Sequence, residues 1–201
     1  MRVTVIDYKA GNLTSVLKTL RHLGAETVVT DGDLSLVASA ERIVLPGVGH
    51  FAATERLDKT ALTGAIREAI ARGVPFLGIC VGMQWLYSGS TEAPRQPGLG
   101  IFAESCTRFA ESSEKVPHVG WNSLEVKNGS QLLAGVTPGE FVYFTHSYKG
   151  PVTADAAAIA QYIEPFAAAV ERGNVMGVQF HPEKSGETGL KILRNFLEAR
   201  R

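Results

Sequence analysis

Pro75-Phe76-Leu77-Gly78-Ile79-Cys80-Val81-Gly82 is the stretch on which the fold turns. Pro75–Ile79 is apolar throughout, as expected of a strand covered by helices on both faces. It runs into Gly78-Ile79-Cys80-Val81-Gly82 and then into a helical segment. A nucleophilic side chain between two glycines at a strand-to-helix turn is the context of a nucleophile elbow. The glycines leave room for a tight backbone. The helix N-terminus supplies free N–H groups and a positive partial charge, which favour a thiolate at Cys80. The N–H of Val81 would be one oxyanion donor. The same five residues also suit a buried structural cysteine at a tight junction.

Working outward, Arg2–Asp7 reads as a strand and Asn12–Gly24 as a helix with Leu13, Val16, Leu17, Leu20 and Leu23 on one face. Gly24 is a suitable stop. Glu26–Thr30 and Arg42–Leu45 are further strands, the latter closed by Pro46-Gly47-Val48-Gly49. A second helical stretch carries Leu62, Ala65, Ile66, Ala69 and Ile70 and ends at Gly73. Strands alternating with helices over short connections predict an α/β fold with a mostly parallel, doubly wound, flavodoxin-like sheet. The middle differs. Ile101–Phe102, Ser105–Phe109, Ser123–Val126 and Phe141–Phe144 are short β-like runs, separated by turn signals at Asn128-Gly129 and Pro138-Gly139. They predict an added antiparallel β section. Ser88–Pro97, polar with two prolines, predicts an exposed loop. Ala156–Ile163 and Phe166–Val170 read as strands joined at Glu164-Pro165. Val175–Phe180 is another, and a last helix from Gly186 to the end buries Leu190, Leu193, Phe196 and Leu197. Without repeats or a linker, residues 1–201 are expected to form a single domain.

The 201 residues carry 20 Lys+Arg against 20 Asp+Glu, a net charge of zero. That argues against a nucleic-acid binder and against attraction to an anionic membrane. Two cysteines, Cys80 and Cys106, make neither a disulfide framework nor a C-x-x-C metal pair, so no metal is expected. The longest apolar run, Val74–Met83, falls short of the ~20 residues that span a bilayer. No signal-peptide pattern opens the chain, and the expected location is cytoplasmic.

Two more motifs fall at the carboxyl ends of expected strands, where open α/β sheets place their active sites. The first is His181-Pro182-Glu183. A thiol nucleophile needs a base that takes its proton and returns it to a leaving amine. His181 can serve, and Glu183, two residues on in extended chain, would orient the imidazole. The second is Pro46-Gly47-Val48-Gly49, whose glycines allow unusual backbone angles and whose N–H groups could complete an oxyanion hole. It matches neither G-x-G-x-x-G nor G-x-x-x-x-G-K-[ST].

Taken in this order, the motifs resemble the triad (class I) glutamine amidotransferases over essentially the whole chain. Further segments resemble the glutaminase subunits of imidazole glycerol phosphate synthase. These are Ile6-Asp7-Tyr8 with Gly11-Asn12-Leu13, Pro97-Gly98-Leu99-Gly100, Val116-Pro117-His118-Val119-Gly120-Trp121-Asn122, His146-Ser147-Tyr148 and Gln179-Phe180-His181-Pro182-Glu183-Lys184-Ser185. The resemblance implies hydrolysis of glutamine to glutamate and ammonia without a cofactor. Cys80 would form a γ-glutamyl thioester, with His181 and Glu183 completing the triad. Val81, Val48 and Gly49 would form the oxyanion hole. Gln84, Glu92, His146, Ser147 and Tyr148 would contact substrate. The resemblance further implies a heterodimer with a (β/α)8-barrel cyclase. That partner would use the ammonia to turn PRFAR into imidazole glycerol phosphate and AICAR in histidine biosynthesis. Trp121, Asn122, Tyr143 and Lys184 would lie at or near the interface. Isolated subunits of this kind are poor glutaminases, because the oxyanion hole forms fully only with the partner. Lys9, His50 and Thr145 depart from the usual pattern without touching the triad. Two alternatives stand beside this reading: the related glutaminase of pyridoxal phosphate synthase, and a catalytically silent scaffold of the same fold.

Overall fold

The computed structural model describes residues 1–127 and 129–199. Strand β1 (Arg2–Ile6) is followed by helix α1 (Leu13–His22), β2 (Glu26–Thr30), α2 (Leu34–Ala38) and β3 (Ile43–Gly47). A 3-10 turn at Phe51–Thr54 leads to α3 (Glu55–Lys59), α4 (Leu62–Ala71), β4 (Phe76–Cys80) and α5 (Val81–Gln84). Then come β5 (Tyr87–Ser90), β6 (Phe102–Arg108), β7 (His118–Ser123), β8 (Glu125–Val126), β9 (Phe141–His146) and β10 (Tyr148–Lys149). The chain continues through β11 (Ala156–Tyr162), β12 (Glu164–Arg172) and β13 (Val175–Val178), a 3-10 turn at Pro182–Lys184, and α6 (Gly186–Glu198).

One sheet has the order β2-β1-β3-β4-β13-β12-β11-β8. The first five strands are parallel, and the last three alternate antiparallel. β4 is central, buried along its whole length, with Phe76 and Leu77 fully enclosed. This places the carboxyl ends of β3, β4 and β13 side by side. Two small sheets lie apart: β10-β6-β5, in which β5 and β6 run parallel, and the antiparallel pair β7-β9.

Several expectations need correction. Within the expected loop Ser88–Pro97, residues through Ser90 belong to β5, and Pro97 bridges back to Gly89. The hairpin between β11 and β12 turns at Ile163, at φ 57°, while Pro165 already pairs with Gln161. A β-branched residue there is unusual, since that backbone region favours glycine. α2 and α3 were not foreseen, because five residues are too few to display a helical period. The Asp33 side chain accepts from the Ser35 N–H at 2.9 Å and caps α2. The segment after Cys80 is helical for only four residues. In α6, Ile192 is fully buried and Leu190 only half-buried. Asn128 of the expected Asn128-Gly129 turn, and the last two residues of the chain, lie outside the described residues. Among those described, no helix is long and apolar enough to cross a membrane.

Candidate active site

The register of β3 on β4 sets Gly47 opposite Cys80. Cys80 itself sits at φ 54°, ψ −109°, a conformation that costs roughly 1–3 kcal/mol for a residue with a side chain. Its neighbours are glycine for a steric reason. A Cβ on Gly82 would lie 1.9 Å from the Leu45 carbonyl oxygen, and one on Gly78 would lie 2.4 Å from that of Gly82. The turn is thus built against the adjacent strand, with the cysteine at its apex.

His181 follows β13. Its backbone N–H donates to the Tyr143 carbonyl at 2.9 Å, and its carbonyl accepts from the Ser185 hydroxyl at 2.6 Å. Ser185 Oγ also accepts from the Tyr143 N–H at 3.0 Å, so β9 and the histidine are tied together. Nδ1 of His181 lies 2.9 Å from Glu183 Oε1, with both side chains almost wholly buried. The linking residues form a 3-10 turn and not the extended chain expected, yet the tight turn still brings the two groups together. Burial disfavours a charged imidazole here. Interaction with Cys80 and hydrogen bonding to Glu183 outweigh it, and the pKa of His181 is raised to about 9. The other ring nitrogen, Nε2, and the other carboxylate oxygen, Oε2, meet no hydrogen-bond partner among the described residues.

Cys80 opens onto a cavity of about 230 Å³. That is below the roughly 300–1,000 Å³ typical of sites for drug-sized ligands, and so suited to a small molecule. Val48, Gly49, Val81, Gln84, Glu92, His146, Ser147 and Tyr148 line it together with Pro117 and Thr145. His181 does not line it. Every substrate or oxyanion residue expected from the sequence therefore surrounds one cavity. Glu92 is fixed by the Phe51 N–H, which donates to its Oε2 at 2.7 Å. Val81 begins α5, so its N–H is among those without an intrahelical acceptor. Val48 differs from expectation: its N–H donates to the Ala10 carbonyl at 2.9 Å and is not free for an oxyanion.

Gln179 was not among the expected site residues. Its Nε2 lies 3.6 Å from Cys80 Sγ, and its Oε1 accepts from Gln84 Nε2 at 3.1 Å. Gln84 Nε2 also donates to the Tyr148 carbonyl at 2.9 Å. An amide within the apolar run Val175–Phe180 was the available signal, and Gln179 is fully buried just past β13.

Behind the cavity, His146 Nδ1 meets the Tyr148 carbonyl at 2.9 Å, and His146 Nε2 meets His118 Nδ1 at 3.1 Å. A carbonyl only accepts, so both histidines carry their proton on Nδ1. Burial lowers the pKa of His118 to about 4 and that of His146 to about 3. The sign of the linkage follows. Unfolding lets a buried neutral histidine take up a proton once the pH falls below about 6.5, so stability declines on acidification. His181 does not oppose this, being protonated in both states in that range. His146 alone accounts for about 2 kcal/mol between pH 6.5 and 4.5. Urea unfolding at a series of pH values measures the loss, and the expected result of an NMR titration is a His146 ring that takes no proton until below pH 4. A ring titrating near pH 6.5 contradicts this.

On the other side, β7 and β9 expose Val119, Trp121 and Phe141, each more than half accessible. Trp121 packs edge-on to Tyr143 at 6.1 Å, and Lys184 Nζ lies 5.7 Å from the centre of the Tyr143 ring. Three of the four expected interface residues share this patch. Asn122 turns inward, since strand side chains alternate, and donates to the Gln161 carbonyl at 2.9 Å. Cys106 is fully enclosed, and burial pushes its thiol pKa up.

The sequence model of class-I glutamine amidotransferases matches residues 4–199. The chain is 46% identical over 200 residues to imidazole glycerol phosphate synthase subunit HisH of Methanosarcina acetivorans, covering 98% of each. It is 45% identical to the HisH subunit of Deinococcus radiodurans, over 96% of this chain and 92% of that one. It is 43% identical to the chloroplastic imidazole glycerol phosphate synthase hisHF of Arabidopsis thaliana, over 97% of this chain but 34% of that protein. The fold also resembles a solved glutamine amidotransferase, with a TM-score of 0.76 at 20% identity over 98% of this chain and 97% of that one. The chain therefore belongs to the class-I glutamine amidotransferases and, within them, to the HisH subunits of imidazole glycerol phosphate synthase.

Proposed function

We propose that this chain, acting as one domain, hydrolyses glutamine through Cys80, His181 and Glu183 and delivers ammonia to a cyclase in histidine biosynthesis. The observation that carries the reading is the strained Cys80 opening onto the cavity, with the buried His181–Glu183 pair beside it. The Cys80 thiolate attacks the side-chain amide carbon, and the carbonyl oxygen takes the negative charge beside the Val81 N–H. His181 gives its proton to the departing nitrogen, and ammonia leaves a γ-glutamyl thioester. Water then attacks that thioester while His181 Nε2 takes its proton. The C–S bond then breaks, glutamate departs, and the Cys80 thiolate is left beside the protonated His181 as at the start. Glu183 holds the imidazole on its Nδ1 side throughout.

The patch around Trp121, Tyr143 and Lys184 is the proposed docking face for a (β/α)8-barrel cyclase, which converts PRFAR to imidazole glycerol phosphate and AICAR. The full-length match to HisH subunits, and the single Arabidopsis protein named for both parts, support that partner. Because the Val48 N–H is held by Ala10, the oxyanion hole is half-formed in the free subunit. The test is glutamate release by the protein alone and with the cyclase and PRFAR. Release that is slow alone and rises sharply in the complex supports the reading. Absence of release in both, or equal rates in both, overturns the activity or its control respectively.

A further inference from the structure

Tyr8 is 2% exposed, and its hydroxyl meets no hydrogen-bond partner among the described residues. The hydroxyl lies against Gly47: a Cβ on that glycine would sit 1.9 Å from it and 3.0 Å from Val81 Cβ. It also interacts electrostatically with Cys80. The orphaned group therefore stands between the elbow and the peptide that joins Gly47 to Val48. Burial holds the phenol protonated, so it remains a donor.

The Val48 N–H and the Gly47 carbonyl belong to one planar peptide and turn together. For that N–H to leave Ala10 and face the cavity, the Gly47 carbonyl must turn toward the loop that carries Ala10 and Tyr8. The Ala10 carbonyl is an acceptor and cannot receive it. We propose that the Tyr8 hydroxyl is a positioning donor that receives the Gly47 carbonyl when the peptide turns, and so holds the completed oxyanion hole. The inference rests on the glutaminase reading above. In the resting arrangement the hydroxyl is unsatisfied and unfavourable; in the turned one it is paired. The device biases the loop toward activity without touching substrate.

Tyr8→Phe separates this role from a merely structural one, because the two predict opposite signs for stability. Removing an unsatisfied buried hydroxyl raises the Tm of the free subunit by about 2–4 °C. Losing the hydrogen bond of the turned state lowers kcat for glutamine, in the complex with the cyclase and PRFAR, by about 5- to 10-fold. KM for glutamine is unchanged, since the hydroxyl makes no substrate contact. An unchanged stimulated kcat overturns the inference, and so does an unchanged or lower Tm, which would place a partner on the hydroxyl at rest. If the wild-type complex releases no glutamate, the glutaminase reading fails and takes this inference with it. An active wild type beside an equally active variant overturns the inference alone.

Discussion

Alanine at position 80 abolishes glutamine hydrolysis while the subunit stays folded. Removing the nucleophile of a catalytic triad lowers kcat by roughly 10⁶-fold where this has been measured, because the remaining groups have nothing to activate. The fold survives because the substitution deletes one buried atom and changes no backbone demand. Alanine meets the same strain at φ 54° as cysteine does. The deleted sulfur accepts one hydrogen bond, from Gln179 Nε2 at 3.6 Å, and a thiol sulfur is a weak acceptor, so little holding the strand is lost. Glutamate release read beside circular dichroism, Tm and cyclase binding checks each part. Hydrolysis within 10-fold of wild type would place the nucleophile elsewhere, and Cys106, enclosed and held protonated, offers no substitute.

Glu183→Gln lowers kcat/KM by about 10⁴-fold, the scale seen when a triad carboxylate becomes an amide. Glutamine is nearly isosteric, so the effect is electronic. Its amide nitrogen can donate to Nδ1 and stabilise the wrong tautomer, and it no longer supports an imidazolium. The pKa of His181, now raised to about 9, falls. Two pH effects follow. The alkaline limit of activity moves to lower pH. Stability changes as well. A pKa raised in the folded state contributes stability that is complete below about pH 6.5 and lost as the pH rises through 9. Wild type therefore loses stability between those values, and the variant loses less. Rate profiles and urea midpoints against pH measure both; a loss of activity below 10-fold would remove Glu183 from the mechanism.

The centre of the parallel half was legible because β3, β4 and β13 are buried along their whole length and read as apolar runs, whereas the edge strand β2 is only partly covered. The elbow and His-Pro-Glu were legible for a related reason. Chemistry at the carboxyl end of a strand needs residue types that packing does not explain. Short elements were not legible: α2 and α3 carry no full period, and the Ile163 turn lacks the glycine that would announce it. Glu92 was reached through the resemblance alone; what holds it, the Phe51 N–H 41 residues away, is a tertiary contact that the sequence does not display. The direction of the Val48 N–H is a backbone torsion, which no side chain reports. The inward turn of Asn122 was readable from strand alternation once Trp121 was taken as exposed.

The pair β7-β9 shares no ladder with the eight-stranded sheet, whereas Cys80 and His181 arise from the ends of that sheet. Under the proposed docking, reaction and recognition are consequently separable parts. A lineage could remodel the outward residues of this ribbon, and so change the enzyme that receives the ammonia, while the hydrolytic centre stays as it is. One restraint limits such exchange. The main chain of Tyr143 holds the backbone of His181 and the Ser185 hydroxyl, so new side chains are tolerated there only if the strand keeps its position.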